Sequence, residues 1–230
     1  MKLDWTKVGK AERFLAAMQI IHACQKCGSC CVHMSGIAFN SVDTIRMAKQ
    51  LGIGRNEFVK QYTVPSETKA TDRWLKCKGD AECIFWSATG CTQYLGRGQV
   101  CRLYPFTAPE QLGAVRRGAP WGMYPKCQGM RETYKRVLEE SFKMDAAVAK
   151  SIVDSDIGKI CYLNTVRDMY EEDTADFAAK EFGLEKLPPM DRLKTLALGY
   201  AVAYQAVTFS KEHRERQLAE LAMEDNECPQ

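Results

Sequence analysis

The chain has no long apolar run. Its opening, MKLDWTKVGKAERFLAAMQII, is broken by Glu12, Arg13 and Gln19, so it does not read as a signal peptide. No segment approaches the roughly 20 apolar residues that cross a bilayer, and no membrane association is expected. The expectation is a cytoplasmic protein, in a compartment where thiols stay reduced. Histidine is scarce, with three in 230 residues, and no Ser-His-Asp or Cys-His catalytic set can be assembled. No internal repeat, low-complexity tract or nucleic-acid reader motif is present. Three cysteine signatures are missing as well. There is no Cys-x3-Cys-x2-Cys of radical enzymes and no Cys-x2-Cys-His for c-type haem. The bacterial ferredoxin run is excluded because Val32, not proline, follows Cys31.

The abundant residue is cysteine, eleven in all. A chain of this length buries a real core without staples, so eleven reduced thiols read as metal ligands rather than cystines. CQKCGSCC places Cys24, Cys27, Cys30 and Cys31 within eight residues. Cys83, Cys91 and Cys101 follow at gaps of seven and nine residues, and Cys127 lies in MYPKCQGM. A Cys-x2-Cys turn lets two sulfurs converge on one ion, with Gly28 suited to a tight backbone approach. The adjacent pair Cys30 and Cys31 diverges, so it suits two centres or a bridged cluster. Eight ligands divide into two sets of four, as two zinc ions or two [4Fe-4S] clusters require. Thiolates suit both metals, and the paired cysteines favour iron–sulfur over zinc.

Charge is unevenly spread around a net +3. Residues 24–131 hold 15 Lys/Arg against 7 Asp/Glu, a balance of +8, and residues 132–230 hold 13 against 20, a balance of −7. Metal-bound thiolates would neutralise the basic half, so nucleic-acid binding is not expected.

CQKCGSCC followed by C-x7-C-x9-CRLYPF resembles the YkgJ-like cysteine-cluster family, described as a zinc- or iron-chelating domain. The resemblance covers about residues 24–131, with SVDTIRMAKQLGIGRNEFVKQY as the helical pair between the cysteine groups. Two departures stand out. The family's Arg-Pro before the third middle cysteine reads Arg97-Gly98-Gln99 here, and its last Cys-Pro-Gly element reads Cys127-Gln128-Gly129. The resemblance implies metal binding first. A similar domain in flagellin lysine-N-methylase implies a further alternative, S-adenosylmethionine-dependent protein lysine methylation. However, Gly52-x-Gly54 is too short for a glycine-rich cofactor loop.

The remaining residues are read as follows. Cys77, six residues before Cys83, reads as a surface or partly buried thiol with a ninth ligand as the alternative, Cys161 is core, and Cys228 lies in a tail. His33 is not counted among the ligands, His22 is structural and His213 solvated. Arg102 compensates charge around the cluster. Tyr104, Pro105, Phe106, Trp86 and Trp121 shield it. KEHRER at 211–216 and the acidic Glu171, Glu172 and Asp173 are solvated faces.

The expected fold is mainly α and irregular. A metal-stapled cysteine-cluster domain at 1–131 includes an N-terminal helix within 1–22, and a helical domain of about four helices spans 132–230. Ser41 caps the helix that ends at Gly52, and RNEFVKQY is a second helix closed by Pro65. Tyr134, Val137, Leu138, Val148 and Ile152 mark helix in 131–154, and DIGKICYLNTVRDMY and EDTADFAAKEF are helical too. A last long helix from about Asp191 buries Leu193, Leu196, Tyr200, Tyr204 and Val207. The expected role is electron transfer, cluster delivery or maturation of a partner enzyme recruited by the C-terminal helices. The zinc alternative is a zinc-stabilised protein-interaction module.

Overall fold

The computed structural model describes residues 8–32, 37–67, 72–79, 82–106, 127–170 and 187–225. Among them the chain is mainly helical. In chain order the elements are α1 (Lys10–Ile21), α2 (Ser29–Val32), β1 (Ala38–Phe39), α3 (Ser41–Leu51) and α4 (Arg55–Tyr62). There follow β2 (Thr63–Pro65), β3 (Arg73–Leu75), β4 (Cys77–Lys78), β5 (Glu82–Cys83), β6 (Trp86–Ser87) and β7 (Gly90–Cys91). A 3-10 turn at Tyr94–Gly96 leads to α5 (Gln99–Leu103), and then come α6 (Gln128–Ser141), α7 (Ala146–Asp154), α8 (Ile157–Tyr170), α9 (Met190–Thr208) and α10 (Lys211–Asp225). EDTADFAAKEF, Trp121, His33, Cys228 and the acidic run at 171–173 lie outside the described residues.

Two compact units organise the chain: residues 1–24 with 108–230, and residues 25–107. These junctions differ from the division expected at 131, and α1 is the reason. Its apolar residues Phe14, Leu15, Ala17 and Met18 are buried, and the helix packs on α8 and α9. The Phe14 ring stacks on Tyr204 at 4.6 Å between centroids and meets Tyr134 edge-on at 6.5 Å. Burying one such ring stabilises by about 1.5–3 kcal/mol, and Leu15, Ala17, Met18 and Ile20 add their own burial to it.

In the helical unit, α6 buries Met130, Tyr134, Val137, Leu138 and Ser141, one stripe at helical spacing. The stretch 131–154 is two helices rather than one. Asp145 caps α7, its carboxylate accepting from the amides of Ala147 at 2.9 Å and Val148 at 3.0 Å, and Val148 is exposed. On α9 the expected stripe holds for Leu193, Tyr200 and Tyr204, but Val207 is 43% exposed because the helix ends one residue later. α10 is a separate helix after extended Phe209. Its face is not wholly solvated. Arg214 is buried and donates to Ser141 through its carbonyl at 2.7 Å and its hydroxyl at 2.8 Å. His213 is half-buried rather than fully solvated: its ring stacks on Phe209 at 5.0 Å and bonds to the Gln217 amide at 2.6 Å. Cys161 is fully buried, as core.

The unit at 25–107 has its own core: Ile37, Phe39, Met47, Phe58, Leu75 and Phe85. Helices α3 and α4 lie beside a small antiparallel sheet ordered β1-β3-β2, with Ala38 opposite Trp74 and Thr63 opposite Leu75. The cap of α3 is Asn40, not Ser41. A reciprocal capping box joins Asn40 and Asp43: the Asn40 side chain accepts from the Asp43 amide at 2.8 Å, and the Asp43 carboxylate accepts from the Asn40 amide at 3.3 Å. Gly52, at φ +69°, ends the helix in the left-handed conformation. Two-residue hairpins, β4–β5 and β6–β7, carry the chain through the cysteine-rich middle.

Candidate metal centre

The site is built on a sharp turn at Gln25–Gly28. Lys26 and Gly28 have φ of +56° and +82°, and a left-handed residue with a side chain costs about 1–2 kcal/mol. At Gly28 a side chain is excluded twice over, since a Cβ would also overlap the Trp86 indole. The Gly28 carbonyl then accepts from the amides of Cys31 at 2.6 Å and Val32 at 2.9 Å. That bond pair starts α2, the one-turn helix that carries Cys30 and Cys31. Cys27 sits exposed on the turn, its sulfur 3.5 Å from the Ser29 hydroxyl.

The hairpins supply the next sulfurs. Register pairing sets Cys83 opposite Cys77, and Cys91 opposite the same Trp86 that covers the turn. β5 packs against α2. Cys101 comes from α5. Buried Cys83 and half-buried Cys31, Cys91 and Cys101 all pack in one core cluster with Phe85. Trp86 therefore covers the turn.

Electrostatics report the same gathering. The Cys30 and Cys31 sulfurs are 3.9 Å apart. The hydrogen bond from Cys31 draws the Cys30 thiol down to about 7, and Arg97 helps. The same bond, burial and the neighbouring sulfurs of Cys30, Cys83 and Cys91 drive Cys31 up. Burial pushes Cys101 up to about 12, with Cys83, Cys30 and Cys91 adding repulsion. Cys83 is raised by burial first, then by Cys91 and Cys77. Cys31 and Cys101 thus each sense Cys30, Cys83 and Cys91. Among the described residues, no three His, Cys, Asp or Glu side chains are drawn together closely enough to ligate one ion. The cysteines are gathered without being closed around a point. The donor chemistry nonetheless fits a metal. These are soft thiols at the edge of an apolar core, where a cation is what offsets their ionisation.

Of the cations acting on these sulfurs, Lys78 acts on Cys83, while Arg97, the arginine of the Arg97-Gly98-Gln99 stretch, acts on Cys30 and Cys101. The Arg97 guanidinium lies 3.7 Å from the Tyr94 ring centroid, and its Nε donates to the Tyr94 carbonyl at 3.0 Å. Lys26 reaches the same ring at 5.3 Å. Arg102 exerts its charge on Asp43, whose carboxyl is raised by burial and lowered by the Gln99 and Asn40 amides and by Arg102 and Arg46. Arg102 thereby supports the α3 capping box. Glycine at 98 rather than proline also has a local reason: a Cβ there would crowd the Phe39 ring.

Cys24 and Cys127 fall in the other unit. Cys127 is buried at the N-terminus of α6, its carbonyl accepting from the amides of Met130 and Arg131, both at 3.1 Å. Within that unit, residues 22 and 23 press on Gly129, where a side chain would strike the Ala23 carbonyl and the His22 ring.

Among the described residues no helix is long and apolar enough to cross a membrane. No curated protein and no solved structure matches the chain. A family model does match residues 23–120; it contains seven of the eight expected ligands and stops short of Cys127. Residues 23–120 are thereby a CxxCxxCC domain, the family described as "Putative zinc- or iron-chelating domain", and metal binding by this segment is supported.

Proposed function

We propose that residues 25–107 hold an iron–sulfur centre and that the protein works in electron transfer, cluster delivery or maturation of a partner enzyme. One observation carries the choice of iron. The adjacent Cys30 and Cys31 hold their sulfurs 3.9 Å apart, with Cys31 packed in one core cluster with Cys83, Cys91 and Cys101, and such a pair suits a multinuclear centre better than isolated tetrahedral ions. Cys30, Cys31, Cys83, Cys91 and Cys101 would hold the centre, with Cys27 beside them on the turn. Cys24 and Cys127, the other two expected ligands, belong to the other unit. When bound, such a centre supplies one-electron chemistry at a potential tuned by its surroundings.

The chain's own residues do the rest. Cys30, with its thiol near 7, is the sulfur most ready to ionise at neutral pH. Arg97 holds positive charge against the incoming thiolates. Trp86, Phe85 and Leu103 keep water from the sulfurs. The acidic C-terminal half, with Met190, Val207 and Met223 exposed on α9 and α10, is the proposed surface for a protein partner.

Purification without oxygen, followed by metal analysis and an optical spectrum, tests this reading. Iron and acid-labile sulfide with broad visible absorbance are expected. A colourless protein with stoichiometric zinc would replace it by a zinc-stabilised interaction module.

A further inference from the structure

We propose that Cys77 is an additional ligand of this centre, chelating jointly with Cys83 across the β4–β5 ladder. The inference rests on the metal-binding reading above. From sequence Cys77 reads as a bystander thiol, and the name of the family's motif does not include it. The register changes that. Cys77 and Cys83 are direct partners in an antiparallel pair, so their side chains leave the same face of the hairpin. The next pair, Lys78 and Glu82, leaves the opposite face and is joined by an exposed 3.5 Å ion pair. One face of this hairpin is therefore solvated charge and the other is sulfur.

The type of pair sharpens the point. The Ile84 amide donates to the Lys76 carbonyl at 3.3 Å. That bond flanks the 77/83 pair, which makes it the narrow, non-hydrogen-bonded kind with side chains at closest approach. Directly opposed Cβ atoms stand about 4.5–5.5 Å apart. Two thiolates sharing a tetrahedral ion at bond lengths of ~2.3 Å sit about 3.7 Å apart. A narrow pair reaches that separation by side-chain rotation alone. Cys83, in turn, is buried in the core that also receives Cys31, Cys91 and Cys101, and the charge of Cys77 is felt at Cys83. The ladder thus works as a chelating clamp in the way a Cys-x2-Cys turn does, with the pair 52 positions beyond residue 25 brought in by α2 packing on β5.

The test is alkylation footprinting of the full chain, purified anaerobically and loaded with ferrous iron and sulfide or with zinc(II). Iodoacetamide labelling is read residue by residue by mass spectrometry, with metal-stripped protein as reference. Cys77 and Cys83 are expected to gain at least tenfold protection together on loading. In a chelator competition Cys77→Ser should release metal at least tenfold faster than wild type. Equal labelling of Cys77 in loaded and stripped protein, with Cys83 and Cys101 protected, overturns the role of Cys77 and leaves the metal centre standing. So does a Cys77–Cys83 cystine in the anaerobic protein. If the wild-type chain takes up neither metal and no cysteine gains protection, the metal reading falls and the role of Cys77 falls with it.

Discussion

A sulfur's chemistry is set by what surrounds it. Buried Cys161, far in sequence from the other thiols, is pushed up to about 12 by desolvation alone and is inert core. Cys101 reaches a similar value, but there neighbouring sulfurs contribute. A pH dependence follows. In the metal-free protein Cys101 is raised above the ordinary 9.0, as are Cys31 and Cys83. Their protonation favours the folded state. Their contribution is constant below about 9 and is lost as pH rises from there toward the folded values, because the unfolded chain ionises first, whereas Cys30, drawn down to about 7, adds stability between about 7 and 9. Metal binding must expel those same protons, so apparent affinity should rise ~tenfold per pH unit for each proton released. Calorimetry in buffers of different ionisation enthalpy would measure the release, and proton-neutral binding would contradict the assignment. Gly28 gives a second residue-scale prediction. Gly28→Ala combines a left-handed backbone with overlap on Trp86, a cost of about 2–4 kcal/mol. Metal loss to a chelator should accelerate by two orders of magnitude or more, and an unchanged half-time would refute the turn's role.

At the scale of elements, the helix α3 shows what pattern can and cannot reveal. Its body and its Gly52 stop are visible in SVDTIRMAKQLGIG, since left-handed C-caps select glycine. The cap residue is not, because Asn40 and Ser41 are both good caps and only the Asp43 partnership chooses between them. Asn40→Ala should destabilise the start of α3 by about 1 kcal/mol, read as faster hydrogen exchange of its first-turn amides. Ser41→Ala should change it by a few tenths at most, and the reverse order would contradict the box. The strands β4 to β7 were illegible for a different reason. Each is two residues long, too short for alternation to register. The exposure of Val207 and the burial of Arg214 escaped the helical pattern because periodicity locates a face and says nothing of where a neighbouring element stops covering it.

For the whole molecule, the two units answer to different forces. Residues 1–24 and 108–230 bury an aromatic and aliphatic interior around Phe14, Tyr134, Tyr200 and Tyr204. Residues 25–107 hold a smaller core with sulfurs in it. Scanning calorimetry should therefore resolve two transitions in the loaded protein. A chelator should lower the one belonging to residues 25–107 and leave the helical one in place. A single transition unmoved by metal removal would count against the stapling role.

Local chemistry was readable in one dimension. Cysteine number and spacing, the soft donor set, the helix-rich composition and the CQKCGSCC turn with its glycine all depend on residues close in the chain, where covalent geometry restricts the outcome. Other properties depend on residues tens of positions apart. They include the company of Cys31, Cys83, Cys91 and Cys101 in one core, the facing of Cys77 and Cys83, the action of Arg97 on Cys30, and the allegiance of α1 to the C-terminal helices. Such encounters are settled by side-chain packing and strand register, which a linear pattern does not encode, and folding alone brings them about.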